Sequence, residues 1–472
     1  MALAVRLVRA LAIFGVIFSS YMIQLGLARI FRGWERDPES GRKVRPRHPG
    51  WVRRRRERVD ARNARRLLRG MLKLRGVYIK LGQVLSIMGG FLPRVYGREL
   101  ESLQDRVPPH DLEEVADSFR ESLGRSPEEC FRDMDREPMA AASLGQVHIA
   151  HLHDGTKVAV KVLYPGIRDV IRVDMKVLGL ALRVYKWFVP VQNLETVHAA
   201  LIDLLRRETD YLHEAACMER MAKNFETEED VLFPEVVWDL TTREVLTMTF
   251  MEGIKITHFD ALERAGVDRS ALARRLVQAG YKMLFVDRLF HADPHPGNFL
   301  VQPTDDPERP RIVVLDFGAV SEVAPNMVDG MVDVLQGFFE GRDDLVMQGV
   351  DRIGFMAETG DRDLLERTVK TYFGKLLKVK DKMTAGNLMR AQREDLEQLI
   401  DPEVEWQQLR TLMRSVKYPD GWFYVERAAV LLFWLVGQID PELDTLQVGF
   451  PYVLPLLAER TRQPSDSPAA SA

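Results

Sequence analysis

The chain has 472 residues, 46% of them hydrophobic, with a near-neutral net charge of −3 and only two cysteines. That is material for a sizeable core and roughly three domains, and Cys130 and Cys217 are too few and too far apart for a disulfide framework or a zinc site, which points to a reducing compartment and two buried thiols. The even charge hides an asymmetry, because residues 41–80 carry sixteen Lys or Arg against two acids, a net +14 that leaves about −17 for the rest.

The first element is Leu11 to Ala28, eighteen residues without a charge. As a helix rising 1.5 Å per residue it reaches roughly 27 Å, just enough for a bilayer core. Arg6 and Arg9 precede it, and Arg29, Arg32, Arg36 and the basic window follow, so the positive-inside rule puts the body of the protein on the cytoplasmic side. No A-x-A-like cleavage site follows, which disfavours a signal peptide. The expectation is an N-terminal membrane anchor, with an interfacial or protein-packed helix as the alternative. The basic window wants an anionic partner, and beside an apolar segment that partner is a phospholipid surface, to which each basic residue contributes about 1 kcal/mol. Without aromatic interleaving or a recognisable motif, no nucleic-acid partner is expected.

From Ala61 to Met88 the apolar positions Leu67, Met71, Leu74, Tyr78, Leu81, Leu85 and Met88 alternate steps of four and three, which predicts one helix. It contains Lys80-Leu81-Gly82-Gln83, and a glycine inside a helix marks the close approach of another surface. Near Pro138 the texture becomes strand-like. The run to Leu152, the turn with Asp154-Gly155 and KVAVKVL predict a hairpin, with Ala159, Lys161 and Leu163 on one face of its second strand. Helical pattern over Leu201 to Phe225 puts Asp210 and Glu214 four apart, two like charges that call for cations, for which Lys161 and Lys80 are candidates.

A short strand at Glu244 to Phe250 and a turn at Met251-Glu252-Gly253 lead through helices to HADPHPGN, residues 291–298. Asp293 and Asn298 stand five apart, the separation of the acid and amide in a protein-kinase catalytic loop. A hairpin then ends in Asp316-Phe317-Gly318. Beyond it the pattern is helical to Glu459, including an apolar stretch at 428–436 that is too short to span a membrane and reads as core. The Ser-, Pro- and Ala-rich end is expected to be disordered.

In order, these are a small-residue loop between strands, a strand lysine, a helix glutamate, an Asp/Asn loop and a DFG. Phosphoryl transfer needs those types because it is mostly positioning plus neutralisation of phosphoryl oxygens. The lysine orients phosphates, Glu214 holds Lys161, Asp293 is base or water-positioner, and Asn298 and Asp316 bind Mg2+ beside ATP or ADP. The expected fold is α+β and protein-kinase-like. It has a bilobal division into a β-rich N-lobe at 131–250 and a helical C-lobe at 251–460, preceded by a hydrophobic segment at 1–30 and a basic helical extension at 31–130, and followed by a tail at 461–472.

From Arg66 to Leu457 the sequence resembles the UbiB/ADCK (AarF) group of atypical kinases. The resemblance rests on the KxGQ motif at Lys80, Gly82 and Gln83, and on an alanine-rich nucleotide loop, Ala140, Ala141, Ala142 and Ser143. It also rests on the ExD motif at Glu208 and Asp210, on the EAAC that supplies Glu214, and on HADPHPGN and DFG. It implies a KxGQ helix folded over the site with Lys80 and Gln83 near the ExD acids, where a protein substrate would otherwise lie. ATPase action or phosphorylation of a small, lipid-like substrate is therefore favoured over protein kinase activity. Ala140 to Ser143, Lys161 and Met251 are the candidate nucleotide contacts. The implied partners are an isoprenoid- or quinone-like lipid and a biosynthetic protein complex, in ubiquinone or other isoprenoid-lipid biosynthesis at a membrane. Two other readings stay open: a nucleotide-binding scaffold, and an aminoglycoside-kinase-like phosphotransferase, whose loop is similar. Oligomeric state is not readable from the residues.

Overall fold

The fold is that of a computed structural model, which describes residues 3–31, 33–36, 43–47, 49–74, 76–79, 81–82, 94–100, 111–141, 144–186, 194–356 and 419–462, with isolated positions between 362 and 384. The chain divides into two compact units. The first comprises Met1–Gly155, Ala159–Pro190 and Val197–Thr209; the second comprises Thr156–Val158, Val191–Thr196 and Asp210–Ala472.

The first unit opens with α1, Leu3–Ile30, a hairpin of β1, Gly33–Arg36, and β2, Lys43–Arg47, and then α2, Gly50–Leu74. The sequence predicts one helix through residue 88, yet α2 stops at Leu74 because Gly76 takes a left-handed φ of +56°, which ends a helix and suits glycine. Helical geometry resumes at 77–79 and 81–82, and Tyr78 and Leu81 are buried as their spacing implies, with Gly82 buried beside them. Lys80 and Gln83 of the KxGQ motif lie outside the described residues, as do Ala142 and Ser143.

Among the described residues three short helices follow: α3, Arg94–Leu100, α4, Leu112–Leu123, and α5, Pro127–Cys130. Then come β3, Asp133–Met134, β4, Ala140–Ala141, β5, Gly145–His151, and β6, Lys157–Leu163. β3 and β4 pair antiparallel with β5, and β6 lies on its other side, joined through the expected Asp154-Gly155 turn. From Val158 onward both faces of β6 are buried, so Lys161 sits in an apolar strand with 9% of its surface exposed. Ser118 of α4 donates to the carbonyl of Leu163 at 3.1 Å, tying the helix to the end of β6. α6, Ile167–Lys186, and α7, Leu194–Glu208, complete the order.

The helical run read over 201–225 breaks at Thr209 and Asp210. In the second unit Asp210 becomes the N-cap of α8, Tyr211–Asn224, accepting the His213 N–H at 3.3 Å. Arg243 approaches it at 3.6 Å. The cap and Arg243 thus both meet the Asp210 carboxylate at the start of α8. The unit continues with β7, Val231–Leu232, β8, Val245–Thr249, β9, Ile254–Lys255, α9, Phe259–Arg264, and α10, Arg269–Tyr281. A π-type turn at Lys282–Val286 leads to β10, Leu289–His291, β11, Phe299–Gln302, β12, Arg311–Val314, and β13, Val320–Glu322. One sheet runs β7-β12-β11-β9 and a second pairs β10 with β13. Among the described residues four helices close the chain: α11, Pro325–Glu340, α12, Asp343–Ile353, α13, Trp422–Ile439, and α14, Thr445–Arg462. The apolar stretch at 428–436 is part of α13, whose Leu431, Leu435 and Val436 are buried.

Candidate active site

The second unit brings together the Asp/Asn loop, the DFG and Glu214. The loop leaves β10 and enters β11; the DFG leaves β12 and enters β13. Because β10 pairs with β13 and β11 with β12, both loops emerge from the same pair of ladders. Backbone bonds stitch them, Ala292 N–H to the Ala319 carbonyl and Leu315 N–H to the Asn298 carbonyl, both at 3.0 Å.

Within the loop the side-chain amide of Asn298 donates to the Asp293 carbonyl at 3.0 Å, and His295 Nδ1 accepts the Gly297 N–H at 3.2 Å over the single 3-10 turn Pro296–Asn298. The two prolines shape this turn by fixing φ. In the DFG, Asp316 Oδ1 accepts the Gly318 N–H at 3.1 Å, and Phe317 is fully buried against Phe233, ring centroids 5.8 Å apart. Glu214, 2% exposed on α8, accepts the Phe317 N–H at 3.3 Å. It therefore holds the DFG backbone itself, a contact the residue spacing did not reveal.

His291 precedes the loop, buried at 4% exposure, and its Nδ1 accepts the Asp293 N–H at 3.1 Å. Burial holds its imidazole below the ordinary range, with the Asp316 and Asp293 carboxylates offsetting this only in part. In the first unit His148, fully buried, is likewise lowered by burial while its Nδ1 faces the Asp135 carbonyl at 2.8 Å. A histidine that folds neutral favours the native state above the unfolded pKa of about 6.5, and that advantage is lost as pH falls through it, because only the unfolded chain takes the proton. Thermal stability should fall between pH 7 and pH 5, by about 1.4 kcal/mol for each unit of depression. Calorimetry of His291→Gln should give a shallower fall, and an unchanged pH slope would refute the assignment.

Sequence reasoning missed Arg427. It lies one turn into α13, 5% exposed, and its Nη2 reaches Asp293 Oδ1 at 2.8 Å, the carboxylate being 17% exposed. Among the described residues its Nε and Nη1 are buried without a hydrogen-bond partner. Lys282, which opens the turn before β10, is a second residue the spacing did not show. Its ammonium meets both Asp287 carboxylate oxygens at 2.9 Å and the Asn224 carbonyl at 2.6 Å, joining α8 to the entry of β10. Arg288, which follows Asp287, has φ +54°, the one non-glycine in the left-handed region among the described residues, so the path into the loop is strained and held.

Of the other sequence candidates, Met251 is half-buried in the second unit after β8, while Ala140, Ala141, Lys161 and Glu208 belong to the first. Among the described residues no three His, Cys, Asp or Glu side chains gather as a metal cage. Asn298 and Asp316 still suit Mg2+, which takes one or two protein oxygens and fills its octahedron with phosphate and water. A cavity of about 540 Å3 lies elsewhere, along α2, lined by Arg58, Ala61, Arg62, Arg65, Arg66 and Arg69.

The sequence profile of the ABC1 atypical kinase-like domain matches residues 102–349, more than half of the chain. The chain belongs to that family. Over 418 residues it is 32% identical to the chloroplastic ACTIVITY OF BC1 COMPLEX KINASE 8 of Arabidopsis thaliana, covering 84% of this chain and 54% of that one. It thus spans little more than half of the plant relative's length. A probable protein kinase UbiB of Azotobacter vinelandii is 32% identical over 430 residues, 87% of this chain and 78% of that one. Among solved structures, Rv3197 of Mycobacterium tuberculosis, determined with erythromycin, has the same fold at a TM-score of 0.52 and 23% identity, covering 83% of this chain. The α+β kinase-like fold and the family resemblance read from KxGQ, the alanine loop and HADPHPGN are therefore correct.

Proposed function

We propose that the protein is an ATP- and Mg2+-dependent phosphoryl-transfer enzyme at the cytoplasmic face of a membrane, with water or a small membrane-borne alcohol as acceptor, serving ubiquinone or another isoprenoid lipid. The observation that carries this reading is the stitching of the Asp293/Asn298 loop to the DFG by backbone bonds, with buried Glu214 fastening the DFG. Phosphoryl transfer depends on such positioning more than on covalent chemistry. Asn298 and Asp316 would hold Mg2+, which when bound neutralises charge on the phosphoryl oxygens. Asp293 positions the acceptor, Lys161 orients the phosphates, and Ala140, Ala141, Ala142, Ser143 and Met251 contact the nucleotide. Lys80 and Gln83, with Glu208 and Asp210, restrict the acceptor side.

One observation favours a second reading. Arg427 engages the carboxylate that would meet the acceptor, as in a nucleotide-binding scaffold for a lipid-biosynthesis complex. Full-length protein with ATP, Mg2+ and phospholipid vesicles separates the two. The enzyme reading expects phosphate release that EDTA abolishes; tight Mg-nucleotide binding without turnover would leave the scaffold. The lipid assignment is tested by quinone and isoprenoid profiling of a deletion strain, and an unchanged profile would remove it.

A further inference from the structure

We infer that α1 lies flat on an anionic phospholipid surface and does not cross the bilayer, so that both of its ends stay on the side of the first unit. The inference rests on the membrane reading above and decides how the helix meets the membrane.

By composition α1 could span. Within residues 4–30 an 18-residue window has a mean hydropathy of 1.8, and only 11% of that window is buried. Its exposed apolar side chains include Val8 at 65%, Val16 at 51%, Ile23 at 57% and Ile30 at 74%, which recur at steps of seven or eight and so form one stripe. The opposite stripe is fastened to α2 along its whole length in antiparallel order. Arg6 donates to the Leu74 carbonyl. Ile13 packs so tightly on Gly70 that a Cβ there would come within 2.9 Å of its Cδ1. Ser20 Oγ accepts from Asn63 at 2.6 Å, Tyr21 donates to Asp60 at 2.6 Å, and Gln24 donates to the Val52 carbonyl at 3.0 Å. The start of α1 is also locked to α6, because Arg6 Nε bonds Asp174 Oδ1 at 2.9 Å and the two side chains are 8% and 1% exposed.

Crossing a bilayer is incompatible with this packing. If α1 kept its partner, the arginines of α2, nine between Arg53 and Arg69, would enter hydrocarbon, and each one carried to the centre lowers the equilibrium on the order of a hundredfold. If α1 left its partner, Arg6, Tyr21 and Gln24 would enter hydrocarbon without the groups that now satisfy them. Lying flat avoids both, since the apolar stripe enters the interface while the polar stripe stays on α2.

Charge selects the occupant. α1 and α2 together carry thirteen Lys or Arg against two acids, a net +11. Such a surface attracts anionic headgroups and repels a second copy of itself. At the C-terminal end Phe31 and Trp51 stand edge to face with centroids 5.0 Å apart, 46% and 41% exposed, aromatic residues of the kind that settle at headgroup level.

The test uses the full chain with single cysteines introduced as Ala4→Cys, Val16→Cys or Arg29→Cys, the first and last lying off the apolar stripe; Cys130 and Cys217 are buried. A membrane-impermeant maleimide is applied to intact spheroplasts and to inverted membrane vesicles of the expressing cells. Both end positions should be protected in spheroplasts and labelled in inverted vesicles at rates within about threefold of each other. Labelling of either end in spheroplasts would mean a spanning helix and overturn the inference while leaving the membrane reading intact. With purified protein, flotation should require vesicles containing phosphatidylglycerol, which should also slow Val16→Cys labelling at least tenfold. Failure to float would overturn the membrane reading together with the inference. Shielding of Val16→Cys without vesicles, with a doubled mass, would show a second copy on the stripe and overturn it as well. Val8→Asp, Val16→Asp and Ile23→Asp combined should reduce flotation about a hundredfold or more and leave nucleotide binding unchanged.

Discussion

Replacing Asp316 by Asn is expected to lower ATP turnover about a thousandfold, near 4 kcal/mol of transition-state stabilisation, while the thermal midpoint stays within about 2 °C of the parent. The carboxylate has two tasks that the substitution separates. Structurally, Oδ1 accepts the Gly318 N–H at 3.1 Å, which the amide oxygen of Asn can do as well. The buried Phe317 ring and the Glu214 contact to its N–H do not depend on the charge. Chemically, the charge is what a divalent ion requires, and no cage of three or more acidic or imidazole ligands among the described residues could replace it. Steady-state phosphate release measures the first quantity and calorimetry the second. Fluorescent-nucleotide binding with and without Mg2+ should show that the variant loses the metal dependence of its affinity. A variant that turns over at the parent rate would remove Asp316 from the mechanism.

The parts of the site legible in the sequence are those whose geometry is set by short spacing. A separation of five positions places Asp293 and Asn298 on one turn, and the alternation around Asp154-Gly155 sets the hairpin that carries Lys161. What could not be read is of two kinds. Local breaks escaped where the apolar register continues across them: Tyr78 and Leu81 are buried on schedule although Gly76 has already ended α2, and Tyr211 and Ala215 are buried although Asp210 has restarted the helix. Long-range pairings escaped because nothing in the residues between Asp293 and Arg427 fixes their meeting. An arginine ahead of an apolar run reads as the solvated end of a core helix. Its burial at 5% was the signal, and that exists only in three dimensions.

The Arg427–Asp293 pair makes a second large effect predictable, and it alters how any Asp293 variant must be interpreted. Removing one partner of a buried ion pair leaves the other uncompensated, which costs about 3–5 kcal/mol. The penalty is unequal here. After Asp293→Ala the stranded group is Arg427, at 5% exposure and already with two donors lacking partners among the described residues, so the full loss is expected. After Arg427→Met the charge that remains is Asp293, at 17% exposure, which water reaches more easily, and roughly half that loss is expected. The double variant, with an apolar side chain against alanine, should be more stable than Asp293→Ala alone, because no charge is left buried. Denaturant unfolding of the four proteins measures this order, and equal losses in the two single variants would refute it. Activity lost in Asp293→Ala can therefore come from a loosened α13 as easily as from a missing catalytic group. Asp293→Asn keeps an acceptor oxygen for Arg427, so the enzyme reading expects it to be inactive yet better folded than Asp293→Ala. In the scaffold reading the same variant keeps its function, and function lost only in Asp293→Ala would mean that the carboxylate serves to hold α13 against the loop.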